Sequence, residues 1–126
     1  MESEVLVVDD SAAIRKILQR VLRQTGMAIR TIHEAGDGQE ALAVLGAQKV
    51  DLVLSDINMP RMDGLQLLAS IKASAQWRQI PVVMITTEGG ETKVSEAVKL
   101  GAAGYVRKPF TADQIKEKLA GFLEPA

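Results

Sequence analysis

Short unbroken apolar runs alternate along this chain with stretches in which apolar positions recur every three or four residues. Val5-Leu6-Val7-Val8, Leu52-Val53-Leu54-Ser55 and Pro81-Val82-Val83-Met84-Ile85 have the length of strands covered on both faces, as in a parallel sheet. Each runs directly into polar residues able to do chemistry: Asp9-Asp10, Asp56 and Thr86-Thr87. Weaker strand patterns lie at Arg30-Thr31-Ile32-His33 and Gly104-Tyr105-Val106.

The stretches between them predict helices. Ile14, Ile17, Leu18, Val21 and Leu22 form an apolar stripe behind Ser11, a good N-cap, and the pattern ends near Gly26. Ala41, Leu42 and Leu45 follow Asp37, and Leu65, Leu68 and Ile71 follow Asp63, each acid being suited to cap the helix it precedes. Val94, Ala97 and Val98 give a weaker stripe after Glu88-Gly89-Gly90, while Ile115, Leu119, Phe122 and Leu123 give a strong one after Thr111. Strand and helix thus alternate five times, which predicts an α/β fold, a (βα)5 doubly wound parallel sheet with helices on both faces. In open sheets of this kind the working crevice lies outside the carboxyl ends of the strands, so the polar strand ends should converge.

Composition narrows the picture. With 126 residues, 47% hydrophobic, the chain suits one domain over residues 1–126. Fifteen basic against 16 acidic residues leave a net charge of -1, so no global field favours nucleic acid or an anionic membrane. The absence of cysteine excludes disulfides and thiolate metal sites. An acidic start, Met1-Glu2-Ser3-Glu4, is unlike a signal peptide, and no apolar run is long enough to span a bilayer. A cytoplasmic monomer is the expectation.

The chemistry to explain is Asp9-Asp10, Asp56, Thr86 and Lys108-Pro109, all at the carboxyl ends of strands. Two carboxylates about 4 Å apart repel by roughly 4 kcal/mol at an effective dielectric near 20, so three together call for a cation. All-oxygen ligands without His or Cys select Mg²⁺ or a similar hard ion, which keeps positions for water and phosphate. Asp56 suits the role of a nucleophile toward phosphorus, with Lys108 as a point charge opposite Asp9 and Asp10.

Val7-Val8-Asp9-Asp10-Ser11, Asp56-Ile57-Asn58-Met59-Pro60-Arg61-Met62-Asp63-Gly64, Ile85-Thr86 and Gly101-Ala102-Ala103-Gly104-Tyr105-Val106-Arg107-Lys108-Pro109-Phe110 occur in the order found in receiver domains of response regulators. The chain resembles that family over nearly its whole length, and specifically the single-domain regulators of bacterial chemotaxis. The resemblance implies a flavodoxin-like sheet of order 2-1-3-4-5 and a cis bond between Lys108 and Pro109. It implies Asp56 as phosphoacceptor, with Mg²⁺ held by Asp9, Asp10, Asp56 and the backbone carbonyl of Asn58. Thr86 and Lys108 would bind the phosphoryl group, Tyr105 would change rotamer with Thr86, and Asn58 and Glu88 would tune hydrolysis. A histidine kinase would be the donor, and a downstream protein would read the face made by the fourth helix, fifth strand and fifth helix. Such a switch promotes only its own phosphorylation and dephosphorylation. The alternative is a receiver excised from a larger regulator or hybrid kinase, or a phosphorelay intermediate.

Structural roles are expected for Asp37, Asp51 and Asp63 as caps or strand-edge residues, for His33 as a surface or rim residue, and for Trp77 in a surface connection. Three rivals share the fold. A phosphohydrolase needs a general acid that no residue beside Asp56 supplies. A flavodoxin-like cofactor binder would set its phosphate against three acids. The third is an interaction module indifferent to phosphorylation.

Overall fold

The structure is a computed structural model that describes residues 2–86 and 91–125. Five strands and five helices alternate: β1 (Ser3–Val8), α1 (Ala12–Gln24), β2 (Ile29–Ala35), α2 (Gly38–Ala47), β3 (Leu52–Asp56), α3 (Gly64–Ala73), β4 (Val82–Thr86), α4 (Glu91–Leu100), β5 (Gly104–Arg107) and α5 (Ala112–Leu119). The sheet order is β2-β1-β3-β4-β5, with every pairing parallel. Fold class and strand order are those expected from the sequence.

The unbroken apolar runs arise because the central strands are buried on both faces. In β1, Val5 and Val7 join a core with Leu18 and Leu22 of α1 and Ile115 and Leu119 of α5. Leu6 and Val8 face the other way, onto Leu45 of α2, Leu67, Leu68 and Ile71 of α3 and Ala97 of α4. Period-2 alternation therefore distributes one strand between two cores.

Four helices begin at side-chain caps that the sequence advertises. Ser11 accepts the Ile14 N–H at the start of α1, Asp37 accepts the Glu40 N–H at α2, and Asp63 and Thr111 form capping boxes with Gln66 and Gln114 at α3 and α5. Such caps satisfy amide donors that the first helical turn leaves without carbonyl partners.

Three local expectations are corrected. The fifth helix stops at Leu119, because Ala120 and Gly121 lead into a turn rather than another helical turn. Leu123 is still buried while Phe122 is 38% exposed, and the Ala28 N–H donates to Glu124 O at 2.7 Å, tying Glu124 to the residue before β2. In α4 only Ala97 of the expected stripe is buried, and Val98 is 57% exposed. Trp77 lies in the α3–β4 connection, yet its ring packs against the core beneath α2 and α3, with the indole Nε1 buried and without a partner. His33 sits at the sheet rim with its Nε2 3.8 Å from Glu4 Oε1.

Candidate functional site

β1 and β3 lie side by side at the centre of the sheet, so the residues that follow them emerge at one mouth. Asp9, Asp10 and Asp56 each bring a carboxylate oxygen within 4.8 Å of the others. Asp9 and Asp56 are buried, and Asp10 is exposed at the rim.

The turn after β1 is held from several directions. Asp9 Oδ1 accepts the Ser11 N–H at 2.9 Å, the Asp9 N–H donates to Ala35 O at 3.1 Å, and Arg15 Nη1 donates to Asp9 O at 2.6 Å. Arg15 is itself paired through Nε with Glu34 at 3.0 Å. Asp9 thus emerges with one oxygen already committed to the backbone and the other turned toward Lys108.

Asp56 closes β3, and its Oδ1 accepts the Ile57 N–H at 2.8 Å. The chain then loops out and returns at Gly64, whose N–H donates to Ile57 O at 2.8 Å. A Cβ on Gly64 would stand 2.1 Å from Asp56 O, so a hydrogen is all that position admits.

Lys108 follows β5 and crosses to the acids, its Nζ 3.1 Å from Asp9 Oδ2 and 3.6 Å from Asp56 Oδ1. The Lys108 N–H donates to Thr86 O at 2.7 Å, and the Lys108–Pro109 bond is cis, as the resemblance implies. Burial pushes the Asp56 carboxyl above the ordinary 3.8 and the Asp9 charge pushes the same way, opposed by Lys108 and by the Ile57 and Asn58 amides. Three ionised carboxylates against one ammonium leave two negative charges at the mouth, the charge that one divalent cation balances. The donor set is all oxygen, and its spacing fits Mg²⁺, which takes a few protein oxygens and keeps water on its other positions. The residues therefore fit the ion.

The other expected site residues fall around this cluster. Thr86 ends β4 and is buried, one residue beyond Ile85, the partner of Asp56 in the sheet. Asn58 is exposed, and its Oδ1 accepts from Lys93 Nζ of α4 at 3.0 Å. Tyr105 of β5 is 37% exposed, with Lys118 Nζ of α5 5.3 Å from the centre of its ring. Glu88 lies outside the described residues.

Sequence reasoning missed Arg15, Lys93 and Arg61, whose guanidinium binds the carboxylate of Asp37. Arg15 stands four residues after the cap Ser11, a spacing that returns it to the same face of the helix start. No local pattern reveals the other two, since their partners are 35 and 24 residues away.

Residues 5–120 match the family model of the response regulator receiver domain. The chain is 40% identical to the chemotaxis protein CheY-3 of Vibrio cholerae serotype O1, over 96% of this chain and 92% of that protein. It is 38% identical to the chemotaxis protein CheY of Pseudomonas aeruginosa, with 96% of each covered. The solved structure of Vibrio cholerae CheY4 superposes with a TM-score of 0.86 at 33% identity, covering 98% of this chain and 100% of that one. NtrX of Brucella abortus gives the same TM-score of 0.86 at 34% identity, but its match to 97% of this chain takes up only 27% of its own. Matched along nearly its entire length in sequence and in backbone, with an acid cluster where the parallel strands end, the chain belongs to the response regulator receiver domain family.

Proposed function

We propose that this receiver is a phosphorylation-activated switch of a two-component system, with Asp56 as phosphoacceptor and a histidine kinase as donor. The observation that carries the reading is the meeting of Asp9, Asp10 and Asp56 oxygens within 4.8 Å beside the Lys108 ammonium, 3.6 Å from Asp56. Asp9, Asp10, Asp56 and the Asn58 carbonyl would hold Mg²⁺, which when bound neutralises the acids and the charge developing on the transferred group.

An Asp56 oxygen attacks phosphorus, the P–N bond of the donor phosphohistidine breaks, and its electron pair returns to the imidazole, which takes up a proton. Lys108, spanning Asp9 and Asp56, turns to the phosphoryl oxygens, and the Thr86 hydroxyl follows. Tyr105 then leaves Lys118 and turns inward, so the α4-β5-α5 face changes shape for a downstream protein, in chemotaxis as the named relatives suggest. The Asn58 and Glu88 side chains tune hydrolysis. Residues 1–126 act as one receiver unit, a cytoplasmic monomer, promoting only its own phosphorylation and dephosphorylation.

Labelled acetyl phosphate, or a labelled histidine kinase, should mark the protein in Mg²⁺ buffer and leave Asp56→Asn unmarked while its circular dichroism is unchanged. Undiminished labelling of the variant overturns the assignment. A second reading, a receiver working inside a larger regulator, has the NtrX match behind it. Phosphotransfer profiling against candidate kinases and histidine phosphotransfer proteins separates these settings.

A further inference from the structure

A second ion pair ties the start of α2 to the β3–α3 loop, and the mechanism above leaves it unused. The Asp37 carboxylate is fully buried. Its Oδ1 accepts the Glu40 N–H at 2.9 Å, and its Oδ2 accepts both Nε of Arg61, at 2.8 Å, and Nη2 of the same guanidinium. A buried carboxylate is tolerated only when its charge and lone pairs are met, and Arg61 meets them with a planar fork that lysine lacks. Its other oxygen is already used in capping α2.

Arg61 is also the one non-glycine residue among those described with a positive φ, +63°. That conformation is disfavoured for any side chain with a Cβ, so something must hold it. Around it the Met62 N–H donates to Pro60 O at 2.7 Å and the Gly38 N–H donates to Met62 O at 3.1 Å. At Gly38 a Cβ would lie 2.5 Å from Met62 Cγ. The start of α2 and residues 60–62 are thereby locked together through a side-chain fork and a backbone bond.

The same loop begins at Ile57, whose amide bonds the Asp56 carboxylate at 2.8 Å, and passes through Asn58. One end of the loop is therefore fixed by β3 and the other by Arg61 on Asp37, with Asn58 between them. We propose that Arg61 is a positioning residue for the divalent-ion site: clamped on Asp37, it fixes the β3–α3 loop in the path that presents the Asn58 carbonyl to the ion. This rests on the reading of Asp9, Asp10, Asp56 and Asn58 as the ion's ligands. Residues that orient metal ligands typically change affinity by about 10–100-fold when removed.

The test is Mg²⁺ titration by calorimetry on the full chain, alongside the metal-free melting temperature. Arg61→Gly relieves the left-handed backbone of its side chain but leaves the buried Asp37 carboxylate without its cation, so its metal-free melting temperature should fall while its Mg²⁺ Kd increases about tenfold. Asp37→Asn should weaken Mg²⁺ to a similar degree, and the double variant no further, because both residues serve one clamp. A Kd within twofold of wild type for either single variant overturns the proposal, as do losses that multiply in the double variant. Should Arg61→Gly not fold, Arg61→Lys keeps the charge and loses the fork; an unchanged Kd there overturns the proposal equally. Failure of the wild type to bind Mg²⁺ would instead refute the ion site itself.

Discussion

At Gly64 the return of the β3–α3 loop depends on one missing methyl group. A Cβ there would meet Asp56 O at 2.1 Å and Ile57 Cα at 2.8 Å, both backbone atoms that cannot swing aside. Gly64→Ala should therefore cost about 3 kcal/mol or more in urea unfolding. Gly104→Ala, where nothing lies within 4 Å, should be neutral or stabilise by about 0.4–1 kcal/mol. Asp56 leads to an outcome of opposite sign. Burial and Asp9 raise its pKa, so the ionised carboxylate is held at net cost when no cation is present. In metal-free buffer near neutral pH, Asp56→Asn should melt above wild type even though it removes the proposed phosphoacceptor. The acids and Lys108 could be read from sequence because each directly follows or ends a strand, and strand ends converge. Arg61 and Lys93 could not, because a long flexible cation finds its partner only once the loop path is set.

The element boundaries show where local pattern is sufficient. Four helices start at Ser11, Asp37, Asp63 and Thr111 as their side chains imply, whereas the end of α5 was misread because Phe122 and Leu123 continue its apolar spacing beyond the helix. In α4, Val98 mimics a core position and stands exposed, a choice made by tertiary packing and invisible to periodicity. Asp37 shows a cap doing a second task. Its pKa is lowered first by the Glu40 amide and then by Arg61, so the folded state binds this proton more weakly than the unfolded chain. The stabilisation is thus present above the unfolded value near 3.8 and is lost as pH falls through the lower folded value. The stability difference between wild type and Asp37→Asn should be complete above the unfolded value near 3.8 and shrink in melts carried below it. On the opposite face, Lys118 over Tyr105 at 5.3 Å holds the ring outward by an attraction of about 0.5–1 kcal/mol at an exposed site. Lys118→Ala should raise the inward population of the ring about two- to fivefold. Fluorotyrosine reports this as a single resonance, because Tyr105 is the only tyrosine; an unmoved resonance would assign the outward rotamer to other contacts.

For the molecule as a whole, the sheet order brings Asp9 and Asp10 on one strand end beside Asp56 on the next. Positions 47 residues apart in sequence, 9 and 56, come within reach of one ion only when β1 and β3 pair. Alternation of strand and helix was enough to place these ends on a common edge, but the adjacency of β1 to β3 came from family resemblance, because strand order is not written in any local pattern. The pairing has a thermodynamic consequence. An unfolded chain offers Mg²⁺ adjacent Asp9 and Asp10 but holds Asp56 far away, so the ion binds the folded state preferentially and stabilises it by mass action. At ten times its dissociation constant Mg²⁺ should add about 1.4 kcal/mol, a rise of roughly 3–7 °C in melting temperature for a domain of this size. The shift should shrink in Asp56→Asn, which removes a charged ligand without disturbing the sheet. Raising monovalent salt should erode it only partly, since Asp9 and Asp56 are buried and screening acts mainly on exposed charges. A wild-type melt that ignores saturating Mg²⁺ at low salt would mean that the folded carboxylates do not act together on one ion, and the phosphoryl-transfer reading would lose its electrostatic basis.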